Sequence, residues 1–169
     1  MSQTNNIESR ISIQVALSGY SFKIQDNDGE HSSGWLTPDR IFTTPEFQKR
    51  YDAVKISLLT PKVALIPEQF FNPMELRQML GDVVRLGEND AVEFVRMPER
   101  ASVLVFSNNV GETLSRMISQ TVFTTDGYQA RILPEMYYIL EALDKCSDYN
   151  KIVASYADGY LHLAVAQRG

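Results

Sequence analysis

The chain has 169 residues, 44% of them hydrophobic and 22% charged, with a formal net charge of −5. That suits one ordinary globular domain, or one domain and part of another, with eight Tyr and eight Phe to fill the core. The acidic balance argues against a nucleic-acid partner, which needs a basic face, and the lone cysteine, Cys146, excludes an internal disulfide and points to a reducing compartment.

The first ten residues are polar and lack the apolar centre of a signal peptide, and no apolar run approaches the roughly 20 residues of a membrane span. A flexible arm over residues 1–10 and a cytoplasmic protein without a membrane partner are expected. Residues 11–25 alternate apolar and polar around Ser18-Gly19, which predicts a hairpin whose glycine tolerates positive φ. Asp26-Asn27-Asp28-Gly29 is a second turn, and a third strand is expected near 32–36, with Trp35 packing the meander against a helix. Thr44-Pro45-Glu46 reads as a helix start. Strands follow at 53–59 and 63–66.

Asn72-Pro73-Met74-Glu75 predicts the best helix of the chain, capped by Asn72 and Glu75, striped by Leu76, Met79, Leu80 and Val83, and ended at Gly87. Residues 91–97 and 101–106 read as strands around Pro98-Glu99-Arg100. Asn109 and Glu112 repeat the capping pattern ahead of a stripe of Val110, Leu114, Met117 and Ile118. A short strand at 128–133 precedes a last helix beginning at Pro134, with Met136, Ile139, Leu140 and Leu143 inward. Residues 151–156 and 160–166 then form another hairpin around Asp158-Gly159-Tyr160, which looks like a second copy of Ser18-Gly19-Tyr20.

The stretches Ile11-Ser-Ile-Gln-Val-Ala-Leu-Ser-Gly-Tyr-Ser-Phe22 and Lys62-Val-Ala-Leu-Ile-Pro-Glu-Gln-Phe-Phe71 resemble a bacterial domain-of-unknown-function family with an actin-like ATPase, ribonuclease H-like fold. Its members open with an apolar strand running into Asp-Gly-Phe-Ser-Phe and carry a Leu-Val-Pro-Glu-x-Phe type segment after the fourth strand. The resemblance implies a mixed α/β chain: a three-stranded antiparallel meander, then alternating strands and helices, then the start of a second lobe. On that basis residues 11–147 are expected to form the first lobe with its connecting elements, and 148–169 the first hairpin of a second lobe that is shorter than in the family.

In active actin-like ATPases the first turn carries an acid that organises metal and water, while N–H groups and a hydroxyl hold phosphate oxygens. The resemblance therefore makes Ser18, Gly19, Tyr20, Ser21, Asp158 and Gly159 the candidate phosphate- or nucleotide-binding residues. The first turn has no carboxylate, so hairpin-only roles are the simpler expectation, with Tyr20 and Tyr160 packing. No glycine-rich phosphate cradle or nucleophile elbow is present, and His31 and His162 lack partners at metal-ligand spacing. No catalytic residue, metal or cofactor is expected, and ATP with Mg belongs to the alternative.

Two functions follow. One is a non-catalytic scaffold that binds another protein or itself through the strand edges of the C-terminal hairpin. The alternative is a nucleotide-binding or phosphotransfer enzyme using the Ser18 and Asp158 turns. A small-molecule-binding α/β domain of another kind stays open.

Overall fold

The structure, a computed structural model, describes residues 6–108, 114, 117, 118 and 120–167. The capping pattern at Asn109 and Glu112, with Val110 of the apolar stripe, lies outside the described residues, as does the first half of the N-terminal arm. Leu114 and Ile118 of that stripe are buried. The chain forms two compact units, residues 1–58 with 110–132, and residues 59–109 with 133–169.

In the first unit, β1 (Arg10–Ala16) and β2 (Gly19–Asp26) alternate as their sequences require. Ile11, Ile13, Val15, Tyr20, Phe22 and Ile24 are buried, while Ser12, Lys23 and Gln25 face outward. β3 (Gly29–Ser32) extends the meander, and β5 (Ala53–Leu58) pairs parallel to β1 on its other side. With the short β10 (Ile132–Pro134), where the chain leaves this unit, the order is β10-β5-β1-β2-β3. The minor strands β4 (Arg50–Tyr51) and β9 (Phe123–Thr124) form a separate parallel pair.

Two expectations change in this unit. The third strand ends at Ser32, and the chain then folds back so that Leu36 exchanges two backbone hydrogen bonds with Tyr20, at 2.9 and 2.7 Å. Trp35 lies beside the β1–β2 turn, where its indole Nε1 donates to Ser18 Oγ at 3.1 Å. No α-helix starts at Thr44. Two 3-10 turns, Pro38–Thr43 and Pro45–Gln48, occupy the region instead. The reason is chemical: the Thr44 hydroxyl donates to the Arg40 carbonyl at 2.7 Å and accepts from the Tyr20 hydroxyl at 2.8 Å, so it is not spent as a cap. Tyr20 and Phe22 stack around Phe47, with ring centroids 5.3 and 5.4 Å away.

In the second unit, β6 (Val63–Pro67), β8 (Ser102–Asn108) and β7 (Ala91–Met97) form an antiparallel sheet in the order β6-β8-β7. The central β8 is buried on both faces. Val103 and Val105 pack with Leu80 of α1 (Leu76–Gly81) in a cluster that also takes in Phe71 and Phe94. Leu104, on the other face, lines an apolar cleft with Met136, Leu140 and Leu143 of α2 (Glu135–Lys145). The hairpin of β11 (Asn150–Ala157) and β12 (Tyr160–Gln167) packs one face on α2.

The helix expected to be the best, α1, is only six residues, and the capping box does not form. Asn72 Oδ1 accepts instead from the Met74 N–H at 3.1 Å, an Asx-type turn, and no side chain caps α1. The longest described helix is α2, with Ile139, Leu140 and Leu143 buried as its spacing required.

The first hairpin also turns one residue earlier than its sequence suggests. Ala16 pairs with Gly19, so the two-residue turn is Leu17-Ser18 and Gly19 already belongs to β2. Glycine is required there because a Cβ would lie 1.9 Å from the Leu36 carbonyl oxygen, at a φ of +148°. Neither strain relaxes by moving a flexible side chain. We expect Gly19→Ala to cost about 3 kcal/mol in urea unfolding. Gly34→Ala, where an added Cβ meets nothing within 4 Å, should leave the midpoint unchanged. Equal effects at the two positions would refute the close approach as the cause.

Candidate functional site

The six candidate residues fall into two groups on separate units. Ser18, Gly19, Tyr20 and Ser21 lie together at the β1–β2 turn, and Asp158 and Gly159 form the β11–β12 turn. Several polar groups of the first turn already have partners. The Tyr20 N–H bonds the Leu36 carbonyl, Ser18 Oγ takes the Trp35 indole, and Tyr20 itself is fully buried. Burial raises the Tyr20 phenol above its ordinary pKa. What remains is a turn clasped by the segment that follows β3.

The second turn has a different geometry. Ala157 pairs with Tyr160, and Asp158 and Gly159 sit at φ 48° and 78°, the two left-handed positions of a type I′ turn. The two Gly-Tyr hairpins are therefore offset by one residue. The turn positions held by Asp158 and Gly159 correspond to Leu17 and Ser18, not to Ser18 and Gly19. Tyr20 is a core residue, whereas Tyr160 is half-buried.

Asp90 and His162 are among the polar residues buried in the second unit. Asp90 holds its loop in place: Oδ2 accepts from Lys62 Nζ at 2.5 Å and the Gly87 N–H at 2.6 Å, and Oδ1 from Ser107 Oγ at 2.9 Å. Arg77 adds bonds to the Asp90 and Gly87 carbonyls at 2.8 and 2.6 Å. These contacts account for the Asp90 carboxyl completely, and its role is structural. His162 is buried on the inner face of β12, with Nε2 3.1 Å from the Thr60 carbonyl, so Nε2 carries the proton and donates. Nδ1 is buried and meets no partner among the described residues. His31 lies exposed on β3, 3.7 Å from Glu46. Among the described residues no group of three His, Cys, Asp or Glu could hold a metal ion, and no helix is long and apolar enough to cross a membrane.

The feature that sequence reasoning missed is the outer face of β11–β12. Register places Asn150 with Gln167, Ile152 with Val165, Ala154 with Leu163, and Tyr156 with Leu161, all on the face turned away from α2. Ile152 is 69% exposed, Tyr156 74%, Leu161 67%, Leu163 52% and Val165 66%. The signal was present: outward positions of β1 and β2 include Ser12, Lys23 and Gln25, whereas six of the eight on β11 and β12 are apolar. Leu163 and Val165 also border the apolar cleft of about 330 Å³, which Val63, Leu65 and Leu104 line from the sheet.

The family model of DUF3822, described as proteins of unknown function, matches residues 1–169. The chain belongs to this family. A solved structure from Bacteroides thetaiotaomicron, described as a protein with actin-like ATPase fold and unknown function, is similar to the DUF3822 chain with a TM-score of 0.65 and 14% identity. The alignment covers 99% of this chain and 69% of that one. No curated protein matches. The DUF3822 chain thus has an actin-like ATPase fold, a mixed α/β architecture rich in strands, as its resemblance implied.

The Asp90 contacts make a pH prediction. The Lys62 hydrogen bond, reinforced by Gly87 and Ser107 and opposed by burial, holds this carboxyl at about 2. The unfolded value is about 3.9, so the stabilisation is complete above about pH 4 and is lost as pH falls toward 2. We expect Asp90→Asn to lower the urea midpoint at neutral pH and the gap to wild type to narrow below about pH 3. A gap that stays constant across this range would contradict the assignment.

Proposed function

We propose that this DUF3822 chain is a non-catalytic interaction or scaffold module of actin-like fold, which engages another polypeptide through the β11–β12 hairpin. The observation that carries this reading is the hairpin's uncovered apolar face, with five large side chains more than half exposed. Lone exposed apolar residues are ordinary, but a contiguous patch of this kind marks interaction surfaces. The outer edges of β11 and β12 have no ladder partner among the described residues, which adds open backbone groups beside the patch. On this reading the hairpin is the opening of a second lobe, used as a docking element.

The alternative, a nucleotide-binding ATPase-type or phosphotransfer enzyme, draws on the actin-like ATPase fold of the Bacteroides protein and on Asp158 in its type I′ turn. The first turn weighs against it, because it lacks a carboxylate and its Tyr20 N–H is bonded to Leu36. Phosphate oxygens need such N–H groups pointing at them.

Two measurements test this proposal. A nucleotide bound well below millimolar Kd would raise the melting temperature by about 5 °C or more at saturating MgATP; we expect no shift. A shift abolished by Asp158→Ala would establish the nucleotide alternative. Immobilised wild-type chain should retain a polypeptide partner that Ile152→Lys/Val165→Lys loses. No retained partner, or equal retention by both, would remove the basis for docking on this face.

A further inference from the structure

We propose that the outer face of β11–β12 is a homodimer interface, on which a second copy of this chain seats the same face about a two-fold axis running across the strands. This rests on the interaction reading above and adds the identity of the partner.

Area is the first ground. At roughly 200 Å² per large side chain, the exposed fractions of Ile152, Tyr156, Leu161, Leu163 and Val165 give about 650 Å² of surface, most of the ~800 Å² that each partner contributes to a standard interface. The patch on a typical monomer is smaller, about 300–600 Å². Leu65, 42% exposed along the adjoining cleft, enlarges it further.

Charge is the second. The chain carries −5 overall, yet none of the eight residues on this face is charged. Two copies can therefore approach here without like-charge repulsion and without burying an unpaired ion. Asn150 and Gln167 form a polar rung at the open end, and the exposed Asp158 turn closes the other.

Self-complementarity is the third. The central rung, Ala154 with Leu163, is flanked by Ile152 with Val165 on one side and by Tyr156 with Leu161 on the other. A two-fold axis through the central rung lays Tyr156 over Ile152 of the other copy and Leu161 over Val165. Larger side chains then meet smaller ones, as in a packed core, and Leu163 meets its own counterpart. The same operation places the two Asp158 turns at opposite ends of the interface. Two stacked hairpins, each backed by its own α2, form an ordinary sheet-on-sheet layer about 10 Å thick.

The test is the solution mass, by sedimentation equilibrium, of the wild type, Leu163→Lys, Leu163→Glu and an equimolar mixture of the two variants. We expect wild type at twice 19.2 kDa in the micromolar range, and each variant alone at 19.2 kDa. Both variants should keep the wild-type circular dichroism spectrum, since Leu163 is half exposed in the single chain. The mixture should regain the doubled mass, because lysine then faces glutamate across the axis. A wild-type chain of single mass overturns the homodimer, even where the same face captures a different polypeptide and the interaction reading stands. A dimer that both variants retain places the contact elsewhere and overturns it as well.

Discussion

Side chains along a strand alternate between two faces, so a hairpin with apolar residues at successive positions needs cover on both sides. β11–β12 is in that position, and α2 covers one side only. Ala164 and His162 lie against the interior while Leu161, Leu163 and Val165, on alternate positions of the same strand, are more than half exposed. β1–β2 meets the same rule differently. Its inward residues build a core around Phe47, and its outward residues are polar enough to face water. Two hairpins with similar turn sequences thus differ in what their outer faces require.

The turns differ as well, and the difference bears on chemistry. Gly19 is a strand residue whose missing Cβ admits the Leu36 carbonyl, and that carbonyl takes the Tyr20 N–H. Gly159 is a turn residue at positive φ with nothing near it. A shared Gly-Tyr dipeptide therefore serves close backbone approach in one place and turn geometry in the other. The actin-like fold is retained while the first turn is clasped by its own following segment, and fold alone does not carry the activity of other members.

Much of the strand order was legible because alternation is a strong local signal: β1, β2, β5, β7, β8, β11 and β12 all lie where the apolar spacing put them. The helices were less so. Asn72 and Thr44 are good caps by type, but each found a competing local bond, Asn72 with the Met74 N–H and Thr44 with Tyr20 and the Arg40 carbonyl. Sequence cannot rank such alternatives without the tertiary partner that decides between them. The third strand ended early for a similar reason, since Leu36 is drawn to Tyr20 by space that only Gly19 provides. At the candidate site the pattern itself was visible, in the run from Leu161 to Val165, but a doubly apolar hairpin reads equally as a fully buried one. Knowing that these side chains are exposed required knowing their burial in the folded chain.

The central claim is that this bare face is where the chain meets another copy of itself. Hydrogen–deuterium exchange at low and high protein concentration tests it most directly, because it reports where association occurs as well as whether it occurs. Peptides spanning 150–167 should gain protection as concentration rises, while those spanning β1 to β3 remain unchanged. Concentration-independent exchange throughout 150–167, or protection gained elsewhere, would contradict it.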